Sequence, residues 1–376
     1  WVFDNNFETP SPPPTPEIEV APNTNVKIDI KWDDRAEAVS DFAGYKQRQE
    51  MQPSFFDYAM DYQGGKKSMK FLREMKILIP FELLTSKLIK EGIYKPNKGV
   101  RGRPSIPAKI LIGSLFLQAW YGLSDPMVEE LIHDRISFRK FLDIKDDDVI
   151  PDETTICKFR NALIKANLFE FIFNSVRSEM MKNNLILNEG TLVDATLIHS
   201  SEPKRKKDDA GKVISNKAHD EDATYTAKRG RKYHGYKVHI ATDTNSIIKE
   251  VITTTAKVHD STQFDALTKD EKRAIFADSG YMSKIRKRTL RAKGIFNAIT
   301  ERRVRGQSKL RAKQSKNNTK FSKVRALVEL PFAFIKNLMY YTQTRYLGMQ
   351  KNAQHIYLIA AAYNLRRIPN LKVKLG

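Results

Sequence analysis

Apolar residues recur at three- and four-residue spacing through two long stretches of the first half of the chain. They include Phe71, Met75, Ile77 and Leu78 in one and Ile110, Leu111, Leu115 and Leu117 in the other. That period predicts helices within 66–98 and 105–185, joined by the basic segment Arg101-Gly102-Arg103-Pro104-Ser105. Two shorter units inside the second stretch open on capping signals, Ser124-Asp125-Pro126 before Met127–His133 and Pro151-Asp152-Glu153-Thr154 before Thr155–Leu163. From about Gly190 the period changes to that of strands. Gly190–Ile198 reads as a buried strand, Lys232–Thr242 alternates, and Ile247–Thr255 is β-branched. A helix over Phe264–Ala274, a strand over Ala274–Asp278, a helix over Ile285–Lys293 and a strand over Ile295–Thr300 follow, before helices over Val324–Tyr341 and Asn352–Arg367. The pattern is α+β/α/β, an all-helical region followed by a mixed sheet with helices packed on it. The stretches 201–231 and 302–320 show no period and read as basic loops.

Charge changes this picture more than length does. The 376 residues carry 65 Lys+Arg against 44 Asp+Glu, a formal +21. Residues 1–50 hold five basic and ten acidic side chains, so their net of −5 leaves +26 for the remainder. The acidic segment includes Thr9-Pro10-Ser11-Pro12-Pro13-Pro14-Thr15-Pro16 and reads as an extended or disordered tail. Basic runs recur at Lys204–Lys207, Lys228–Lys232, Lys284–Lys293 and Arg302–Lys320. A surface of that kind is the electrostatic footprint of a polyanion binder, with nucleic acid the leading partner. Within the helical region the capped units have helix-turn-helix character. Thr155, Lys158 and Arg160 read either as side chains that face DNA from a recognition helix or as part of a helix capped for stability alone, and Arg103 either as part of a bare linker or as a residue that enters a minor groove. One cysteine, Cys157, excludes a disulfide framework and thiolate zinc sites. No apolar run reaches the roughly 18 residues of a membrane span, and the expectation is a cytoplasmic, nucleoid-associated protein.

A basic protein acting on phosphodiesters needs a few acids gathered in one place to hold divalent ions, and magnesium prefers carboxylate oxygen. Asp194 lies inside the apolar run Thr191–Ile198, where an unpartnered charge is costly. Asp278 closes a short strand and precedes the turn Ser279-Gly280-Tyr281, at the strand end where sites in open sheets commonly lie. Arg325, Glu329 and Lys336 fall on one polar stripe of a predicted helix. The stripe reads either as an Arg–Glu pair with a solvated Lys or as a metal-binding Glu flanked by phosphate-contacting cations. The order of strands and helices after residue 186 is that of a ribonuclease-H-like domain.

The chain resembles the DDE transposases of bacterial insertion sequences, most closely the insertion-sequence-five group. The resemblance rests on Leu192-Val193-Asp194-Ala195-Thr196, Ala277-Asp278-Ser279-Gly280-Tyr281 and Arg325-x3-Glu329-x6-Lys336. Further matches in the same order are Met51–Asp57, Gly122-Leu123-Ser124-Asp125, Tyr233-His234-Gly235-Tyr236-Lys237, Val258-His259-Asp260-Ser261 and Ala362–Arg367. Ser322 stands where the related motif carries a tyrosine three residues before its arginine. The resemblance implies a helical DNA-binding domain over 51–185 and a ribonuclease-H-like catalytic domain over 186–376. It implies Asp194, Asp278 and Glu329 as catalytic residues holding two Mg²⁺ or Mn²⁺ ions, with Arg325 and Lys336 as DNA contacts. The expected partners are double-stranded DNA, at terminal inverted repeats and at a target, and further copies of the chain in a homodimer or higher assembly on DNA. A domesticated DNA-binding descendant and a metal-dependent nuclease without joining activity are the competing functions.

Overall fold

The structure is a computed structural model. It describes residues 67–97, 104–145, 148–187, 189–201, 205–207, 210, 213–215, 220–228, 230–303 and 307–375, all within one compact unit of the chain. The acidic Pro-rich tail, the Met51–Asp57 motif and Arg103 lie outside the described residues.

The helical region runs α1 (Lys67–Leu78), α2 (Phe81–Lys90), α3 (Ala108–Tyr121), α4 (Asp125–Asp134), α5 (Ile136–Leu142), α6 (Glu153–Lys165) and α7 (Leu168–Lys182). Helix α3 is apolar nearly all round because it is the centre of the bundle. Ile110 to Trp120 are all buried, and Ser114 satisfies its hydroxyl on the Ile110 carbonyl at 2.8 Å. Gly113 is required there, since a Cβ would overlap the Leu142 side chain of α5. The two expected caps form: Ser124 Oγ accepts from Met127 N at 3.4 Å and Asp152 Oδ1 from Thr155 N at 2.6 Å.

The sheet is built from β1 (Thr191–His199), β4 (Thr224–Lys228), β5 (Arg231–Thr242), β6 (Ile248–Thr255), β7 (Ala274–Ala277) and β8 (Phe296–Ile299), while β2 (Arg205–Lys207) and β3 (Val213–Ser215) form a separate hairpin. The long β5 is the hub. It pairs antiparallel with β1 on one edge and with both β4 and β6 on the other. Beyond β1 the sheet continues in parallel through β7 to β8. Gly235 sits where β5 crosses close to β1, and a Cβ there would overlap the Ile198 carbonyl oxygen. One face of the sheet is closed by Val193, Ala241, Ile275 and Ala277 against Phe264, Tyr281 and Leu290.

The expected order of strands is present, and three local expectations are corrected. The stretch read as a loop over 201–231 contains β2, β3 and β4, and that over 302–320 contains the start of α10 (Ala312–Arg325). Helix α10 has only Phe321 and Val324 as large apolar residues, so it shows no period. It is held instead by Phe321 packing on Phe276 and Phe296 and by polar contacts of Gln314 and Asn318 to Glu301. The helix expected over Phe264–Ala274 is a 3₁₀ turn, Asp260–Gln263, followed by the short α8 (Phe264–Leu267). Buried Glu271 stops it, its carboxylate accepting from the backbone N–H groups of Lys272 and Arg273 and turning the chain into β7. After α9 (Lys284–Ala292), the helix expected over Val324–Tyr341 is divided into α10, a 3₁₀ turn at Ala326–Val328 and α11 (Glu329–Asn337). Pro331 has no N–H for the Leu327 carbonyl; that carbonyl accepts from Ser246 Oγ at 2.9 Å instead. The final helix, α12 (Met349–Leu375), packs on α7 and α3 of the helical region and on β6 of the sheet.

Candidate active site

Strand β1 places Asp194 in the middle of the sheet, opposite Ile240 of β5 and one residue beyond the Val193–Ala277 pair with β7. Asp278 follows Ala277 directly, so adjacent parallel strands deliver the two carboxylates side by side. The third arrives from the far side of the helix break, as the first residue of α11. Asp194 is three-quarters covered; its Oδ1 accepts from the backbone N–H of Ala195 at 2.8 Å and its Oδ2 faces Arg325 Nη1 at 3.4 Å. Arg325 also reaches Glu329 Oε1 with Nη2 at 3.6 Å. Asp278 is exposed and is fixed by its own turn, Oδ1 accepting from Ser279 N at 2.6 Å and from Ser279 Oγ at 3.2 Å.

Electrostatics tie the three acids together. Burial holds the Asp194 carboxyl above the usual range, Arg325 works against that, and the negative charges of Glu329 and Asp278 add to it. The donor chemistry is hard carboxylate oxygen, which fits magnesium or manganese. Among the described residues no group of three acidic, His or Cys side chains is drawn close enough to hold one metal ion; the Arg325 guanidinium lies against both Asp194 and Glu329 and supplies positive charge there.

A polar cluster that the spacing of acids did not reveal stands behind the Asp278 turn. Tyr281 is buried, its hydroxyl has no partner, and burial together with Asp260, Asp194 and Asp278 raises its pKa. Lys237 pairs with Asp260 at 2.9 Å and donates to the Val258 carbonyl at 2.7 Å. Fully buried His239 meets Thr254 Oγ1 at 2.8 Å, and burial pushes its pKa down to about 4. Arg286 lies over the Phe264 ring and donates to the Tyr281 carbonyl. His259 caps the 3₁₀ turn, its Nδ1 accepting from Ser261 N at 3.3 Å. The sequence signal for this cluster was the pair of motifs around Lys237 and Asp260, which carried no spacing rule of their own.

The expected DNA contacts separate. Lys336 is half-buried on α11, and among the described residues no carboxylate pairs with it; burial, then the nearby Lys228, lowers its pKa. On α6, Lys158 is exposed and Thr155 partly so. Arg160 is corrected. It is 6% exposed and grips Asp125 with both Nη atoms, Nη2 to Oδ2 at 2.7 Å, with the Tyr346 ring 5.1 Å from its guanidinium carbon. The signal was present in the sequence, because Ile156, Phe159, Leu163 and Ile164 place Arg160 inside the apolar face of its helix.

Residues 187–365, which contain all three acids, match the family model described as Transposase DDE domain, and residues 61–162 match the one described as Transposase domain (DUF772). No solved structure matches the chain. A DDE domain of this kind implies nucleotidyl transfer on a DNA substrate, in a family that is generally dependent on divalent metal. The two matches, one over most of the helical region and one over the sheet, support in this order a DDE transposase.

Proposed function

We propose that this chain is a DNA transposase of the insertion-sequence-five type. In this reading it binds transposon ends, cuts the strand there and joins the freed 3′-hydroxyl to target DNA, acting as a dimer or larger assembly on DNA. The observation that carries the reading is that Asp194 and Asp278 follow paired residues of adjacent parallel strands while Glu329, at a helix start, shares Arg325 with Asp194. The strand order (β4 and β6)-β5-β1-β7-β8 supports a ribonuclease-H-like domain.

The three carboxylates would hold two Mg²⁺ or Mn²⁺ ions. When bound, such ions activate an attacking water or hydroxyl and neutralise the leaving oxygen of an in-line displacement. The chain's own part is positioning. The Ala195 N–H and the Ser279 turn fix the orientation of Asp194 and Asp278, so the acids are arranged before substrate arrives. Arg325 stabilises them meanwhile and offers its guanidinium to phosphate when they are otherwise neutralised. Lys336, without an acidic partner among the described residues, is placed for a second phosphate contact, and exposed Lys158 for a contact from α6. No side-chain nucleophile is required.

The test is cleavage and joining of labelled DNA carrying the element's ends, with Mg²⁺ or Mn²⁺, for the wild type and for Asp194→Asn, Asp278→Asn and Glu329→Gln. Each variant removes charge at nearly constant shape and is expected to bind the ends while losing both reactions by at least about a thousandfold. Cutting without joining by the wild type would leave a nuclease, and end binding with neither reaction would leave a DNA-binding descendant.

A further inference from the structure

A second arginine stands beside Asp278, while Arg325 lies against Asp194 and Glu329. Arg302 follows β8, whose Ile299 is level with Ala277 of β7, so it emerges at the strand ends that present Asp278. Its Nε donates to Ser279 Oγ at 2.9 Å, and the same hydroxyl donates to Asp278 Oδ1 at 3.2 Å. A Cβ on Gly280 would lie 3.5 Å from Arg302 Nη2 and 4.0 Å from Asp278 Oδ2. With no side chain at Gly280, the guanidinium fork and the carboxylate face the same open space. Yet Arg302 makes no ion pair with Asp278 or with any other acid among the described residues, and it is exposed.

The backbone beneath it is clamped. Glu301 N donates to Asn318 Oδ1 and Asn318 Nδ2 donates to Glu301 O, both at 2.9 Å. The Glu301 carboxylate takes Lys287 of α9 at 2.9 Å and Gln314 of α10 at 2.6 Å. A surface arginine kept for solubility needs no such base, and one kept to neutralise Asp278 would touch it. An arginine oriented through its Nε, with no Nη partner among the described residues and an exposed carboxylate beside it, has the donor set for a bidentate anion from outside. Its neighbour Arg303 is turned away, donating Nη1 to Ser308 O at 3.0 Å.

We propose that Arg302 is a substrate-binding residue that receives a backbone phosphate of the DNA strand lying across Asp278. The proposal rests on the transposase reading for its substrate, but its test does not depend on catalysis. Binding of a duplex carrying the terminal sequence is measured against salt in the absence of divalent ions, for wild type, Arg302→Ala, Arg302→Lys and the control Arg303→Ala. Loss of one phosphate contact lowers the slope of log K against log salt by about 0.9. That drop is expected for Arg302→Ala and for neither of the other two variants, with melting temperatures of all four unchanged. In the cleavage assay Arg302→Ala is expected to lose about tenfold or more in rate, which Arg302→Lys restores only in part, because a point charge replaces a fork. An unchanged slope for Arg302→Ala overturns the proposal whatever the cleavage result. A wild type that binds with the slope difference but never cuts keeps Arg302 and removes the transposase reading.

Discussion

His355 is 5% exposed, its ring edge-on to Tyr341 and Tyr346 with centroids 5.1 Å away in each case. Burial pushes its pKa down to about 3, with Arg345 and Arg160 adding to the effect. The folded chain therefore refuses a proton that the unfolded chain accepts near pH 6.5. This stabilising contribution is complete above pH 6.5 and is lost as pH falls toward 3, at up to about 1.4 kcal/mol per pH unit. Melting followed from pH 7 to pH 4 should show the decline, and His355→Gln should flatten it. The Asp125–Arg160 pair makes a second residue-scale prediction. Arg160 is buried and Asp125 partly so, and Arg160→Ala leaves the carboxylate Gln118 as a donor, so it should cost about 1.5–3 kcal/mol in denaturant unfolding. Binding of DNA at matched folded fraction should be unaffected. Asp194 stood out in the sequence as a charge inside an apolar strand, whereas Asp278 and Glu329 were joined to it only by the family resemblance. Arg302 was not legible, since nothing in the run Arg302-Arg303 distinguishes an arginine held by Ser279 from one turned toward its own loop.

Among the elements, α10 departs furthest from what sequence periodicity can show. At about 100° per residue, Gln314, Asn318, Phe321 and Arg325 share one side and Lys313, Lys316, Lys320 and Lys323 the other. The first side docks on Glu301 and the sheet and ends with Arg325 beside Asp194 and Glu329. The second has no acidic partner among the described residues, and the helix contains no acidic residue at all. Periodicity of apolar residues cannot reveal a helix whose two faces differ by docking and charge. Neutralising the four lysines to Gln should leave the fold intact and lower the salt slope of duplex binding by about one for each phosphate they contact. A slope unchanged by all four would make the stripe a solvated face. The helix break before Glu329 follows from Pro331, which the sequence contained, but its location also needed Ser246 from the β5–β6 turn to take the freed carbonyl. That partner is distant in sequence and could not be foreseen.

Across the whole molecule, α12 joins what the change of period near residue 190 divides. Trp120 of α3 donates to the Ala362 carbonyl at 2.9 Å, Tyr363 donates to the Ser246 carbonyl at 2.9 Å, and Asn364 exchanges two hydrogen bonds with Ile248, each 2.9 Å. Buried Asn364 thus satisfies both backbone groups where β6 begins. The helical region and the sheet should accordingly unfold in one transition seen alike by tryptophan fluorescence and by circular dichroism. Asn364→Ala should shift that transition as a whole by about 2–4 kcal/mol rather than split it. Among the described residues no helix is long and apolar enough to cross a membrane.

The placement of α12 also bears on time. Residues 349–375 follow every element they hold together, and at about 5–20 residues per second of synthesis the sheet waits seconds for Asn364 after Glu329 has been made. During that interval the start of β6 has unpaired backbone groups and the surface of α7 that α12 covers is bare. Asp194, Asp278 and Glu329 are then all present in the chain, before α12 has closed over α7 and β6. A chain interrupted before that helix would carry Asp194, Asp278 and Glu329 without the contacts that α12 makes on α7 and on the start of β6.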